Sequence, residues 1–169
     1  YMCEACMSKQ KILGTNIRLI LENWGRLGSA MAHLNDKVVF VFGGIPGEEV
    51  VAKVIAERRN YIAAEVVEIL KPSPERVKPP CPYFGNCTGC QFQHINYEFK
   101  IKLKQQFLLD SLQRVGGFIE PYVLETIPSP KIYGYRNHAR FTIGNEGALG
   151  FINRESRAFI PIDQCMIME

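Results

Sequence analysis

Three cysteines fall within ten residues of this sequence, and a fourth lies far along the chain. The stretch from Cys81 to Cys90 reads Cys-Pro-Tyr-Phe-Gly-Asn-Cys-Thr-Gly-Cys, and Cys165 follows 75 positions later. Clustered thiolates bind metals, and a four-coordinate centre needs one ligand more than the cluster supplies. We therefore expect Cys81, Cys87, Cys90 and Cys165 to converge on one metal centre.

The ligand spacing separates two kinds of centre. Zinc sites favour pairs of ligands two to four residues apart, which Cys87 and Cys90 satisfy, whereas the five-residue gap between Cys81 and Cys87 does not. A [4Fe-4S] cluster takes one cysteine at each of four irons and accepts uneven spacing. The spacing favours the cluster and leaves structural zinc as the alternative. His94 and His138 are weaker candidate ligands.

The six cysteines of the chain are also an even number, as a disulfide framework requires. The sequence does not begin with a signal-peptide pattern, so we expect a reducing cytoplasmic environment, in which thiols bind metals more often than they pair. No apolar run approaches the about 20 residues that span a bilayer, so we expect no membrane contact. Residues 1–10, which contain Cys3 and Cys6, are predicted to form a tail and not a site.

The residues before the cysteines have the pattern of a small β domain. The composition, 47% hydrophobic and 22% charged, is typical of globular proteins. Within residues 11–71 we predict five strands, at Asn16 to Leu21, Ser29 to His33, Val38 to Phe42, Glu49 to Ala56 and Ala63 to Leu70. Closing five short strands into a barrel removes exposed edges, so we predict a five-stranded OB-like barrel.

Barrels of this kind bind oligonucleotides through basic and aromatic side chains. The net charge of +3 is too small to indicate nucleic acid by itself. The candidate RNA contacts in the barrel are Arg26, Lys53, Arg58, Arg59 and Tyr61. The alternative is that these are ordinary solvated charges.

The remaining elements are predicted to position the cysteines. Residues 72–80 form a proline-rich linker, residues 81–94 a cysteine loop, residues 95–117 a helix and residues 118–169 the start of a small antiparallel β domain. Asn96 is the predicted N-cap of the helix, and Gly116-Gly117 ends it. The predicted apolar face of the helix contains Tyr97, Ile101, Leu108, Leu112 and Val115, flanked by Leu103 and Phe107.

A second basic group lies after the helix. In a predicted strand from Tyr135 to Ile143, alternation places Arg136, His138 and Arg140 on one face, where they could contact an anion such as RNA. A meander formed by Gly147 to Ile152 and Arg157 to Ile162 then leads to Cys165.

In combination, these blocks resemble the 23S ribosomal RNA uracil-5 methyltransferase family, relatives of the tRNA uracil-5 methyltransferases. The resemblance runs from about Lys11 to Cys165. It is carried by Val39-Phe-Val41, Pro46-Gly47-Glu48, Glu68-Ile-Leu-Lys-Pro-Ser-Pro74, Pro80-Cys-Pro-Tyr-Phe-Gly85, Cys90-Gln-Phe-Gln-His-Ile95 and Tyr135-Arg-Asn137. Thr88 departs from the glycine that we expect at its position.

The resemblance implies that residues up to about 70 form a TRAM domain that holds RNA, and that Cys81, Cys87, Cys90 and Cys165 bind a [4Fe-4S] cluster. It also implies an enzyme that uses S-adenosylmethionine to make 5-methyluridine. In the family a cysteine adds to C6 of an extruded uracil before C5 accepts the methyl group. The residues for this chemistry lie in a Rossmann-like C-terminal domain of the family, and none can be placed in this sequence.

We therefore expect the chain to be the RNA-binding and cluster-bearing N-terminal part of a 23S rRNA uracil-5 methyltransferase, with the cluster in a structural role. The expected partner is RNA, with no obligate protein partner. Two alternatives stay open: a stand-alone RNA-binding module with a structural zinc and no catalytic activity, and an iron–sulfur electron carrier.

Overall fold

The computed structural model describes residues 12–87, 89–153 and 157–169, except for the side chain of Arg26. The predicted tail, residues 1–10, lies outside the described residues. The described chain is mainly β with one α-helix, as the sequence predicts. It divides into two compact units between Pro74 and Glu75.

The first unit is a six-stranded sheet. Its strands are β1 (Asn16–Ile20), β2 (Asn23–Trp24), β3 (Ala30–Leu34), β4 (Lys37–Phe42), β5 (Glu49–Glu57) and β6 (Tyr61–Lys71), with a short 3-10 turn at Arg26–Gly28. The order in the sheet is β1-β5-β6-β4-β3-β2. Only β4 and β6 pair in parallel; the other neighbours are antiparallel. The five predicted strands are present with ends within two residues of the prediction, and β2 is an additional short strand.

One chain segment supplies both ends of this sheet. β1 and β2 are separated only by Leu21 and Glu22, yet they are the first and last strands of the sheet order. The Leu21 N–H donates to the Glu48 carbonyl at 2.9 Å, and the Glu22 N–H donates to the Met31 carbonyl at 2.7 Å. The sheet therefore curls back to the segment from which it starts.

Alternate residues of the strands form the core of the first unit, because successive side chains of a strand point to opposite faces. In β1 and just after it, Leu19 and Leu21 are buried while Ile20 is 66% exposed, as this alternation requires. The buried cluster consists of Leu19, Leu21, Ala30, Ala32, Val39, Val41, Val50, Ala52, Val54, Ile62 and Ala64.

Glu48 is a fully buried carboxylate in the first unit. Its Oε2 accepts a hydrogen bond from the Ile45 N–H at 2.9 Å, and its Oε1 accepts one from the Ser73 N–H at 3.0 Å. Backbone donors on both oxygens stabilise the buried charge. Glu48 thereby ties the turn between β4 and β5 to the chain that leaves β6.

Both ends of the proline-rich stretch are hydrogen-bonded, each within its own unit. Ser73 is bound to Glu48 within the first unit. Within the second unit, the Val77 N–H donates to the His94 carbonyl at 3.0 Å, and the Asn96 N–H donates to the Glu75 carbonyl at 2.9 Å. The residues that precede Cys81 are therefore held against the residues that precede the helix.

The second unit contains the helix α1 (Tyr97–Arg114). The Asn96 Oδ1 accepts a hydrogen bond from the Phe99 N–H at 2.8 Å, which confirms the predicted N-cap. Among the described residues, no helix has both the length and the apolar character needed to cross a bilayer.

The apolar face predicted for α1 is not the face that packs. Leu108 is 50% exposed and Val115 is 89% exposed, whereas Leu103 is buried. The Phe107 ring lies 6.2 Å from the ring of Phe92 in the cysteine loop. The packed face of α1 is therefore shifted from the predicted one toward Leu103 and Phe107, because the cysteine loop packs on that side of the helix.

A three-stranded antiparallel sheet completes the second unit. It consists of β7 (Thr142–Ile143), β8 (Leu149–Ile152) and β9 (Phe159–Pro161), in that order, with a 3-10 turn at Asn145–Gly147. The meander that leads to Cys165 is confirmed.

The predicted strand from Tyr135 to Ile143 is wrong, because only Thr142 and Ile143 form a strand. The N–H groups of Tyr135 and Arg136 both donate to the Ile167 carbonyl, at 3.1 and 2.9 Å. This part of the backbone therefore bonds to the C-terminal segment and does not extend a sheet.

Replacing Glu48 by alanine is expected to lower the free energy of unfolding of the first unit by about 2–4 kcal/mol, because two buried N–H groups lose a charged acceptor. Glu49→Ala is the matched control. Glu49 is ion-paired with Arg18 at the surface, and its loss is expected to cost about 1 kcal/mol or less. Denaturant unfolding followed by the fluorescence of Trp24, the single tryptophan, measures both. Equal losses for the two variants would contradict the assigned role of Glu48.

Candidate metal centre and nucleic-acid interface

A pocket of about 100 Å³ lies within the second unit, between the cysteine loop and the segment that follows β9. Cys81, Cys87, Cys90 and Cys165 all line this pocket. All four thiols are free and half-buried. The fold therefore places Cys165 beside the three clustered cysteines, although 75 positions separate it from Cys90.

Two successive turns form the first part of the cysteine loop. The Phe84 N–H donates to the Cys81 carbonyl at 3.2 Å, and the Cys87 N–H donates to the Tyr83 carbonyl at 2.7 Å. Gly85 between them has a φ of 94°, which lies in the region that favours glycine. The backbone freedom of this glycine lets Cys81 and Cys87 reach the same pocket.

Gln93 is a site residue that the sequence analysis missed. It is only 6% exposed, lines the pocket and accepts a hydrogen bond at Oε1 from the Cys81 N–H at 3.3 Å. Its side chain also hydrogen-bonds Cys90, an interaction that lowers the pKa of that thiol. A buried glutamine bound to two of the cysteines fixes their relative position. The signal in the sequence was its place in Cys90-Gln-Phe-Gln93, three residues after a cysteine.

Burial is the main influence on the pKa of two of the thiols. The pKa of Cys87 is raised by burial, and a backbone hydrogen bond from Gly89 opposes this shift. Repulsion from the other three cysteines raises the pKa of Cys87 further. The pKa of Cys90 is also raised, chiefly by burial. Burial therefore favours the protonated form of Cys87 and Cys90, and ionising these thiols would require a positive charge nearby.

The wall of the pocket is apolar apart from the cysteines and a few polar groups. Its apolar residues include Phe84, Phe151, Ile162, Met166, Ile167 and Met168. The charged residues that line it are Arg136 and Arg140. Arg136 lowers the pKa of Cys90, so its positive charge acts on the thiol pocket. An anionic centre fits a pocket of this composition.

The basic residues after the helix are not arranged as predicted. Ala139 and Arg140 are adjacent in sequence and both line the pocket with Arg136, which strict strand alternation does not allow. His138 is exposed and does not line the pocket. His94 does not line it either; it is buried, with its ring 5.4 Å from the ring of Phe84.

A compact site for a single ion is not formed by the described residues. Among residues 12–87, 89–153 and 157–169, no three His, Cys, Asp or Glu side chains are grouped closely enough to hold one metal ion. The four thiols that share the pocket are the donor set in the second unit. Their chemistry fits a soft metal or an iron–sulfur cluster.

In the first unit, three of the predicted RNA contacts lie at one hairpin. Arg58 and Arg59 are exposed between β5 and β6, and the Arg58 N–H donates to the Tyr61 carbonyl at 2.9 Å. Tyr61 is 40% exposed, and its ring packs edge-on against Phe40 with 5.8 Å between centroids. The tip of this hairpin therefore presents two cations beside an aromatic ring.

The other basic residues of the first unit differ in their surroundings. Lys53 is exposed on β5, opposite Glu65 of β6. Arg18 and Lys37, in contrast, are ion-paired with Glu49 and Glu57. The side chain of Arg26 lies outside the described residues.

The sequence is similar to a known domain and to known RNA methyltransferases. Residues 10–67 match the TRAM domain. An uncharacterized RNA methyltransferase of Aquifex aeolicus is 40% identical over 152 residues, which cover 89% of this chain and 35% of that protein. The 23S rRNA (uracil(1939)-C(5))-methyltransferase RlmD of Alkalilimnicola ehrlichii is 35% identical over 147 residues, covering 84% of this chain and 33% of that protein.

A solved structure shows the same relationship. The tRNA (uracil-54, C5)-methyltransferase of Pyrococcus abyssi in complex with S-adenosyl-L-homocysteine is similar with a TM-score of 0.56 and 25% identity, over 89% of this chain and 32% of that protein. The chain spans about a third of the length of the curated relatives it matches. The predicted resemblance is thus confirmed: the chain is similar to RNA methyltransferases, among them 23S rRNA (uracil(1939)-C(5))-methyltransferases, and residues 10–67 match the TRAM domain.

Proposed function

We propose that this chain is the RNA-binding and cluster-bearing part of an S-adenosylmethionine-dependent methyltransferase that makes 5-methyluridine in 23S rRNA. The observation that carries the proposal is the similarity of 84% of the chain to the 23S rRNA (uracil(1939)-C(5))-methyltransferase of Alkalilimnicola ehrlichii. The first unit supplies a proposed RNA surface, and the second unit supplies a proposed metal centre and further proposed RNA contacts.

The first unit is proposed to be an OB-like barrel that holds RNA. The return of the sheet to its starting segment supports the barrel. RNA contacts are assigned to the hairpin residues Arg58, Arg59 and Tyr61, together with Arg26 and Lys53. This surface suits single-stranded RNA. The phosphates of RNA attract cationic side chains, and its unpaired bases stack on exposed aromatic rings.

The metal centre is proposed to be a [4Fe-4S] cluster held by Cys81, Cys87, Cys90 and Cys165. All four line one pocket whose charged residues are arginines, which offset the negative charge of four thiolates. The uneven spacing of the four cysteines in the sequence favours a cluster over a compact zinc site, because each corner of a cluster binds its own cysteine. When bound, the cluster would supply cross-links between the cysteine loop and the chain after β9.

Catalysis is assigned to residues outside this chain. We place the nucleophile, the base and the S-adenosylmethionine site in the part of the relatives' length that this chain does not span, a part of which the comparisons give the extent alone. The residues present here hold the RNA while the target uracil is extruded from its stack. Arg136, His138 and Arg140 remain proposed RNA contacts, of which Arg136 and Arg140 also line the cysteine pocket.

Metal analysis separates this proposal from an RNA-binding module with structural zinc. Protein purified without oxygen is expected to contain about four iron and about four acid-labile sulfide per chain, with a broad visible absorption. Elemental analysis and a sulfide assay measure this. One zinc per chain without sulfide would reject the cluster and support the zinc-bearing module.

Changing both hairpin arginines tests the RNA surface. In the full-length protein, Arg58→Gln with Arg59→Gln is expected to weaken binding to 23S rRNA fragments. The slope of log affinity against log salt should fall by about 1.4 to 1.8, since each lost phosphate contact contributes about 0.7 to 0.9. Methyl transfer from S-adenosylmethionine, followed as 5-methyluridine by mass spectrometry, should fall in parallel at low RNA concentration.

Arg18→Gln is the matched control for the hairpin variant. Arg18 is already ion-paired with Glu49, so its removal should leave the salt slope nearly unchanged. Salt-insensitive RNA binding, or an equal effect of Arg18→Gln, would reject the hairpin as the RNA surface. Absence of 5-methyluridine with the full-length protein and intact metal centre would reject the proposed reaction.

A further inference from the structure

A reciprocal hydrogen bond joins the cysteine loop to the segment that carries the fourth cysteine. The Tyr83 hydroxyl donates to Asp163 Oδ2 at 3.1 Å and accepts from the Asp163 N–H at 3.2 Å. Tyr83 lies two residues after Cys81, and Asp163 lies two residues before Cys165. One hydroxyl therefore connects two segments that are 80 positions apart.

A second hydrogen bond connects the same two parts of the second unit. The Asn153 Nδ2 donates to the Asn86 carbonyl at 2.6 Å. Asn86 directly precedes Cys87, and Asn153 directly follows β8. The cysteine loop is thus attached to the meander at Tyr83 and at Asn86, and each of these residues lies within two positions of a loop cysteine.

We propose that the Tyr83–Asp163 link holds the four-cysteine pocket closed in the metal-free protein, so that Cys165 is in place before a metal centre is inserted. Bringing together two segments 80 residues apart has an entropic cost. Metal binding could offset this cost only once all four cysteines were already close together. Hydrogen bonds between protein groups can offset it before any metal binds. The Tyr83 ring also lines the pocket, so its hydroxyl can act on the pocket's shape without binding the metal.

Tyr83 and Asp163 are therefore positioning residues and not ligands. Phe84 and Ile162, the neighbours of the linked residues, both line the pocket and add apolar contact surface at the same place. Gln93 fixes Cys81 and Cys90 within the loop, whereas the Tyr83–Asp163 link fixes the loop to Cys165. The functional role of the Tyr83–Asp163 link rests on the proposed cluster. Its effect on the position of Cys165 in the metal-free protein does not.

The test uses the full-length protein freed of metal by a chelator under reducing, oxygen-free conditions. A maleimide carrying a bulky polyethylene glycol group is expected to react faster with Cys165 when the pocket opens, because this thiol is half-buried in the closed pocket, and peptide mass spectrometry gives the rate at that residue. Tyr83→Phe is expected to raise the alkylation rate about tenfold or more, because each of the two hydrogen bonds contributes about a fivefold factor. Tyr122→Phe makes the same chemical change at a residue that is 88% exposed, and it should leave the rate unchanged.

Asp163→Asn provides a second variant that keeps the backbone donor and an acceptor oxygen, and it should raise the rate less than Tyr83→Phe. If far-ultraviolet circular dichroism shows that Tyr83→Phe does not fold, Asp163→Asn alone provides the test. An alkylation rate of Cys165 above that of the parent then supports the proposal. Parent-like rates in the folded variants would overturn the proposal. So would a metal-free parent whose Cys165 reacts as fast as in the denatured chain. Neither result depends on whether the metal is iron or zinc.

Discussion

The convergence of four sulfurs on one half-buried pocket is the constraint on which the second unit depends. Gathering thiols removes them from water and places like charges together when they ionise, and both effects oppose the arrangement. The fold offsets this cost with contacts that are specific to each cysteine. Gln93 binds Cys81 and Cys90, a backbone hydrogen bond from Gly89 reaches Cys87, and Arg136 places a positive charge near Cys90.

The proline-rich stretch, the helix cap and the meander all serve this convergence. Residues just before Cys81 bond to His94 and Asn96, so the two ends of the cysteine loop lie together before α1 begins. The antiparallel meander returns the chain to the loop, where the Tyr83 hydroxyl donates to Asp163 and the Asn86 carbonyl accepts from Asn153. The first unit is stabilised separately, by alternate buried residues of a sheet that returns to its own start and by the carboxylate of Glu48.

The sequence predicted the features that depend on local pattern. Strands with period-two alternation, the Asn96 cap, the hairpin at Arg58 and the meander are present, because neighbouring residues determine them. Apart from the place of Cys165 beside the clustered cysteines, the features that depend on distant partners were predicted wrongly or missed. The packed face of α1 depends on Phe92, and the irregular path at Arg136 depends on the Ile167 carbonyl. The roles of Gln93 and of the Tyr83–Asp163 link likewise required the fold, since periodicity gives no information about contacts across 80 positions.

The cluster content of a Cys165→Ser variant tests the central claim most directly. Iron and acid-labile sulfide per chain would be measured after anaerobic purification, beside Cys3→Ser as a cysteine-to-serine control outside the proposed ligand set. If the four sulfurs share one centre, Cys165→Ser loses most of its iron, sulfide and visible absorption, while Cys3→Ser retains them. Parent-like iron and sulfide in Cys165→Ser would contradict the account, because the three clustered cysteines would then hold the centre without their distant partner.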